Sequence, residues 1–149
     1  MERLKNWLCA LFEEFDSNAE NDFVEMVLEK CGSNCAKTCG VEGIAAKAKS
    51  EVQDINNLDE VVRAVQKYFG GKFTAIKNGF ITEFGKGKCV CPMVSQQYIN
   101  SKSLCSCTKG FNEKVWSVFF ERPVSVEIIS SVLRGGDECR LKIEIIDDK

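Results

Sequence analysis

An α+β domain with an antiparallel sheet is the fold this sequence predicts, and three observations predict it. Apolar residues recur at helical spacing through roughly the first 70 of 149 positions. From Lys72 the period drops to two, as in strands with one buried and one wet face. Between two apolar runs stands Asn78-Gly79, the dipeptide most suited to a tight hairpin turn. Helices first, then a hairpin-rich sheet with one inserted helix, is an α+β order. The chain reads as one domain over residues 1–149, helical to about residue 70 and sheet-rich from about 71.

Leu4, Trp7, Leu8, Leu11, Phe12 and Phe15 give the first helix a wide apolar face. Ser17 with Glu20 three residues on matches a capping box. It should open a second helix with Phe23, Met26, Val27 and Cys31 inward, interrupted briefly at Gly32-Ser33. The pattern resumes through Cys35, Cys39 and Ile44 to Ala48. Asn57 caps a helix with Leu58, Val61, Val62, Val65, Tyr68 and Phe69 on one side, and Gly70-Gly71 ends it. In the hairpin, a two-residue turn pairs Lys77 with Phe80 and Phe73 with Phe84. Phe73, Ala75, Phe80, Thr82 and Phe84 then share a face.

After the Gly85-Lys86-Gly87 turn, Lys88 to Met93 is expected as a third strand. Thr108 to Phe120 reads as a helix with Phe111, Val115, Val118 and Phe119 inward. Val124, Val126 and Ile128 begin another strand, and Gly135-Gly136-Asp137 turns the chain. Cys139, Leu141, Ile143 and Ile145 alternate with Arg140, Lys142 and Glu144, the clearest strand of all.

Apolar residues at 44% and charged residues at 28% describe a globular chain rather than a disordered one. The net charge is −2 and the lysines are dispersed, so no basic stripe invites nucleic acid. No apolar run is long enough to cross a bilayer. The N-terminus, Met1-Glu2-Arg3-Leu4-Lys5-Asn6-Trp7, lacks the continuous apolar core of a secretory signal. A cytoplasmic location is the expectation.

Nine cysteines and no histidine are the chemical signature of the chain. In a reducing compartment a disulfide framework is disfavoured, and metal binding, redox chemistry and burial compete. The absence of histidine removes Cys-His and Ser-His catalytic pairs, mixed Cys/His zinc sites and haem ligation by His. Alternation in a strand would point Cys89 and Cys91 to the same side. Cys105 and Cys107 precede the expected Thr108 helix, whose N-terminal field favours thiolate. Two such pairs brought together supply four thiolates, enough for zinc or, less readily, an iron–sulfur cluster. The competing readings are inert fillers on buried strand faces and a reducible Cys89–Cys91 redox pair.

Cys31, Cys35 and Cys39 lie along one helical stripe, expected as core packing against the sheet. The functional alternative is that one of them completes the Cys-x-Cys site. Glu121, Glu127 and Glu138 read as surface carboxylates. Trp7, Phe73, Phe80, Phe84, Phe111 and Trp116 form a core set that could also line an apolar pocket.

Three segments carry a family resemblance: residues 105–111 (CSCTKGF), 120–124 (FERPV) and 131–143 (SVLRGGDECRLKI). Together they resemble the 4-vinyl-reductase-type ligand-binding domains. They are closer to bacterial proteins named after L-2-amino-thiazoline-4-carboxylic acid hydrolase, and Cys31-Gly32-x-x-Cys35-Ala36 is similar to that group too. The resemblance implies helices packed on an antiparallel sheet around a small-molecule pocket. In related phenol-sensing regulators a zinc held by three Cys and one Glu sits beside the pocket. Cys105 and Cys139 match two of those positions, while the third Cys falls on Ser131 and the Glu near Ile128. A metal here would therefore draw on Cys89, Cys91 or Cys107 with Cys105 and Cys139.

The leading expectation is a cytosolic small-molecule-binding domain with a cysteine-rich, metal-capable site, monomeric or homodimeric. The first alternative is a hydrolase of a small cyclic amide or thiazoline. It would use metal-bound water or a nucleophile such as Cys91 or Cys107. The second alternative is a thiol redox protein.

Overall fold

The computed structural model describes residues 1–147. Its sheet half is built from β1 (Lys72–Ile76), β2 (Gly79–Phe84), β3 (Val124–Ser130) and β4 (Cys139–Ile145). All neighbours are antiparallel, in the order β1-β2-β4-β3. The helices are α1 (Glu2–Ser17), α2 (Asp22–Thr38), α3 (Val41–Ser50), α4 (Leu58–Tyr68), α5 (Pro92–Ser95) and α6 (Leu104–Phe120). The expected α+β architecture, with N-terminal helices preceding an antiparallel sheet, is the one found.

One face of the sheet is apolar and one is charged, as the alternation in β4 requires. Phe73, Phe80, Val126, Leu141 and Ile143 join Trp116, Phe119 and Phe120 of α6 and Val61 and Val65 of α4 in one buried cluster. On the opposite face Glu83 stands 3.1 Å from Arg140 Nε and Lys142 stands 2.9 Å from Glu144. Edge-to-face contacts of Trp116 with Phe80 (4.8 Å) and Phe73 (6.1 Å) join α6 to the sheet.

The hairpin turns one residue earlier than the Asn78-Gly79 signal suggests. Phe73 lies opposite Thr82 and Ala75 opposite Phe80, so Lys77-Asn78 forms the turn and Gly79 is already strand. Gly79 serves a close approach instead: a Cβ there would strike the Ile143 carbonyl of β4. Asn78 meanwhile bonds Ile145 through both its backbone and side chain. The slip is two residues, so every side chain keeps its expected face.

Several local expectations are overturned, each for a tertiary reason. Ser17 does not cap α2; its hydroxyl bonds back to Glu13 O within α1, and Asn21 accepts from the Phe23 N–H instead. α2 continues through Gly32 without a break, and its buried stripe is Val24, Leu28, Gly32 and Ala36. Phe23, Met26 and Cys31 are exposed. At its closest approach to α6 this stripe presents Gly32, flanked by the buried Leu28 and Ala36. In α1 no residue is fully buried, and Leu4 and Trp7 are exposed.

No third strand forms at Lys88–Met93, because β2 already has β4 as its second neighbour and Pro92 starts the short α5. α6 begins at Leu104, four residues earlier than expected. The reason lies in α1. Asp16 Oδ1 accepts from the Ser103 N–H (3.1 Å) and from the hydroxyls of Ser101 and Ser103 (2.6 Å each). A carboxylate from 87 residues away thus anchors the helix start. Val118 points outward, and Val115, Trp116, Phe119 and Phe120 form the inner face of α6.

Candidate functional site

The helix α6 crosses α2 at two glycines. A Cβ on Gly32 would fall on the Cys107 carbonyl, and one on Gly110 would fall on Glu29. Backbone-to-backbone contact of this kind needs the absence of a side chain. It seats the first turns of α6, which carry Cys105 and Cys107, against the α2 segment that carries Cys35. The second half of α6 packs on the sheet. Beneath residues 104–116, between α6 and the sheet, a cavity of about 560 Å³ remains.

Six of the nine cysteines line this cavity: Cys35, Cys89, Cys91, Cys105, Cys107 and Cys139. All five expected site thiols therefore share one chamber, although the strand geometry invoked for Cys89 and Cys91 is absent. Cys35 joins them from the α2 stripe. Cys31 and Cys39 are exposed, so the stripe is not core; it runs along the flank of the buried Gly32–Ala36 edge. Cys9 lies elsewhere, its Sγ donating to Tyr98 O at 3.6 Å.

The rest of the wall is aromatic and aliphatic, with Phe69, Phe73, Phe84, Phe111 and Trp116 prominent. Among the described residues no Lys, Arg, Asp or Glu lines it. Its polar groups are largely satisfied from within. Asn112 accepts from Trp116 Nε1 (3.1 Å) and donates to Thr108 O (2.9 Å), and Ser130 donates to Glu138 O (3.0 Å). Glu121, Glu127 and Glu138 do not line the chamber. Asn112 escaped the sequence reading, although its spacing of four from Trp116 permits this side-chain bond on one helix face.

Four of the six thiols, Cys35, Cys89, Cys105 and Cys107, are pushed toward the neutral form. Burial drives Cys107 up to about 12, and the neighbouring thiols of Cys91, Cys35 and Cys31 add to the shift. Burial also raises Cys105, against the opposing influence of Ser131 and Arg134. It raises Cys89 and Cys35 as well. The expectation of thiolates at the start of α6 therefore fails: Cys105 and Cys107 lie inside the helix and turn into an apolar chamber, where desolvation outweighs the helix field.

Cys105 Sγ lies 2.9 Å from Ser131 Oγ. This places Ser131 where the resemblance puts a third zinc thiolate, and its hydroxyl bonds the thiol. Among the described residues no three Cys, Asp or Glu side chains are grouped closely enough to hold a metal ion.

Fold and site together define an α+β domain enclosing an uncharged, thiol-lined cavity of small-molecule size. Among the described residues no helix is long and apolar enough to cross a membrane. A family model described as a family of unknown function (DUF6144) matches residues 2–149, and the chain belongs to that family. No curated protein matches it.

Proposed function

We propose that this chain is a small-molecule-binding domain whose ligand is uncharged, largely apolar and of a size suited to the chamber under α6. One observation carries the reading: about 560 Å³ of space is walled by aromatic rings and cysteine side chains, with no charged side chain among the described lining residues. Ligand pockets commonly fall between about 300 and 1,000 Å³ and combine apolar walls with a few polar groups. A soft, polarisable thiol wall suits an aromatic or sulfur-containing guest.

The hydrolase alternative finds less support. A carboxylate-bearing substrate calls for a cation in the wall, and hydrolysis calls for a general base or an activated nucleophile. The chamber supplies raised thiols instead. The resemblance to the thiazoline hydrolase and 4-vinyl-reductase groups supports a ligand pocket at this place, and the shared pocket is the part we retain.

Trp116 lines the chamber and Trp7 is exposed, so Trp7→Phe leaves one reporter inside. Titration of that variant with the neutral dye N-phenyl-1-naphthylamine should give saturable energy transfer from Trp116. Leu133→Trp, which fills the cavity, should abolish it. Saturable binding that survives the filled variant, or none in the parent, would overturn the reading. Metal analysis of the same sample tests the competing occupant, a zinc held by Cys89, Cys105 and Cys139.

A further inference from the structure

Residues 85–91 form a strap across the mouth of the cavity. Gly85 and Gly87 take left-handed backbone (φ +66° and +77°), which carries the chain out of β2 and over the opening. Midway along the strap, the Gly87 N–H bonds to Asp137 O (2.7 Å). Val90 lines the cavity and is still 55% exposed, which marks the strap as the rim. The strap ends at Cys91, whose carbonyl accepts the first bonds of α5.

The strap carries two thiols, and both line the cavity together with Cys35, Cys105, Cys107 and Cys139 of the body. Cys89 is close enough to Cys105 and Cys139 to sense their charge, and Cys91 stands in the same relation to Cys35 and Cys107. Of the six cavity thiols Cys35 alone belongs to an exposed residue, so a soluble reagent reaches it first. Cys107 is held too deeply and too firmly protonated to compete. Cys39 also neighbours Cys35, but on the next turn of the same helix, where a bond would span no opening. Cys89 with Cys91 would close only a strained small ring.

We propose that Cys35 and Cys91 form a reversible disulfide that fastens the strap to α2 and closes the cavity. A low-molecular-weight disulfide is the oxidant. The minor deprotonated fraction of Cys35, whose thiol burial raises, attacks one of its sulfurs and expels one small thiol, leaving a mixed disulfide. The Cys91 thiolate then attacks the Cys35 sulfur, forms the protein S–S bond and expels the second small thiol. Two protein thiols are oxidised, one small disulfide is reduced to two thiols, and the two thiol protons leave with them. The gating role rests on the ligand reading above; the bond itself does not.

Cys31→Ser with Cys89→Ser leaves Cys35 and Cys91 each alone in its tryptic peptide, residues 31–37 and 89–102. Treatment of the folded variant with oxidised glutathione should yield these two peptides joined, and dithiothreitol should separate them. A Cys35–Cys39 link, or stable mixed disulfides only, would overturn the proposal. In the unsubstituted chain, hydrogen exchange at residues 88–91 should slow on oxidation and recover on reduction, and unchanged exchange would also refute it. Release of N-phenyl-1-naphthylamine should slow several-fold when the strap is fastened, and an unchanged release rate removes the gating role. Failure of the dye to bind the reduced protein sinks the ligand reading instead and leaves the cross-link result standing.

Discussion

Gly32→Ala is the substitution that most directly tests how the chamber is built. Helix propensity alone predicts a gain, since alanine in a helix interior is favoured over glycine by about 1 kcal/mol. The crossing predicts the opposite. The added Cβ would lie on the Cys107 carbonyl, 2.7 Å from its carbon and 2.8 Å from Phe111 N. Carbon pairs sit comfortably at about 3.5–4.0 Å, so the helices must part by about 1 Å. Both obstacles are backbone, with no side chain to swing away. Overpacking of this kind costs about 1–3 kcal/mol, and rigid neighbours place it near the upper end. After the propensity gain, a net loss of about 2 kcal/mol remains. For a chain of 149 residues that is a fall in Tm of about 4–8 °C. Gly43→Ala in α3 is the control, for nothing lies within 4 Å of its Cβ position. It should gain up to about 1 kcal/mol. Thermal and urea unfolding of both variants settle the matter. Equal stabilisation of the two would refute the crossing, and with it the reason Cys35 and Cys107 share a wall.

Two further outcomes follow from the titrating groups. With its pKa pushed up to about 12, the Cys107 thiol contributes stability that is fully present below its unfolded value of about 8.5. That contribution should drain away as pH rises toward 12. Tm should therefore fall above about pH 9, and Cys107→Ala should flatten the fall; an identical alkaline profile in the variant would contradict the burial argument. Burial alone would raise Asp16, but hydrogen bonds from Ser101 and Ser103 outweigh it and hold the carboxyl below the usual range. Its contribution is present at neutral pH and lost as pH falls through the depressed value. Asp16→Asn should cost about 2 kcal/mol at pH 7, with the gap to the parent closing below about pH 4 in urea titrations. A gap that persists in acid would mean the carboxylate charge is not what holds the start of α6.

Period-based features were legible, and contact-based ones were not. The alternation Cys139-Leu141-Ile143-Ile145 fixes which face of β4 is buried whatever its neighbours do. The Phe73/Phe80/Thr82 face survived a two-residue error in register because strand period is two. Asn57 caps α4 as expected, since capping is decided within three residues: its side chain accepts from the Glu60 N–H. The α6 start was misplaced because its anchor, Asp16, lies on another helix. Bulk is a poor guide to the inward face of α2, where Leu28 is buried but Phe23 and Met26 are exposed. At a close helix crossing the buried residues are the small ones, Gly32 and Ala36, and Phe23 is left outside.

The five thiols singled out by spacing do line one cavity, for a reason unrelated to the one that suggests it in the sequence. Strand geometry was to bring Cys89 and Cys91 together, yet they reach the chamber on an irregular strap. A helix field was to ionise Cys105 and Cys107, yet they lie inside the helix and stay protonated. What gathers the thiols is topology. α2 and the start of α6 meet at the two glycines, β2 runs out into the strap, and β4 begins beside its end, with Phe84 opposite Cys139. Each of these four places carries a cysteine or a pair. A wall assembled from four separate segments can be drawn together or loosened by a bond between any two of them. The same thiols inside one helix or one hairpin could not act on the opening. That distribution favours a chamber whose access responds to thiol chemistry over one whose cysteines merely fill space.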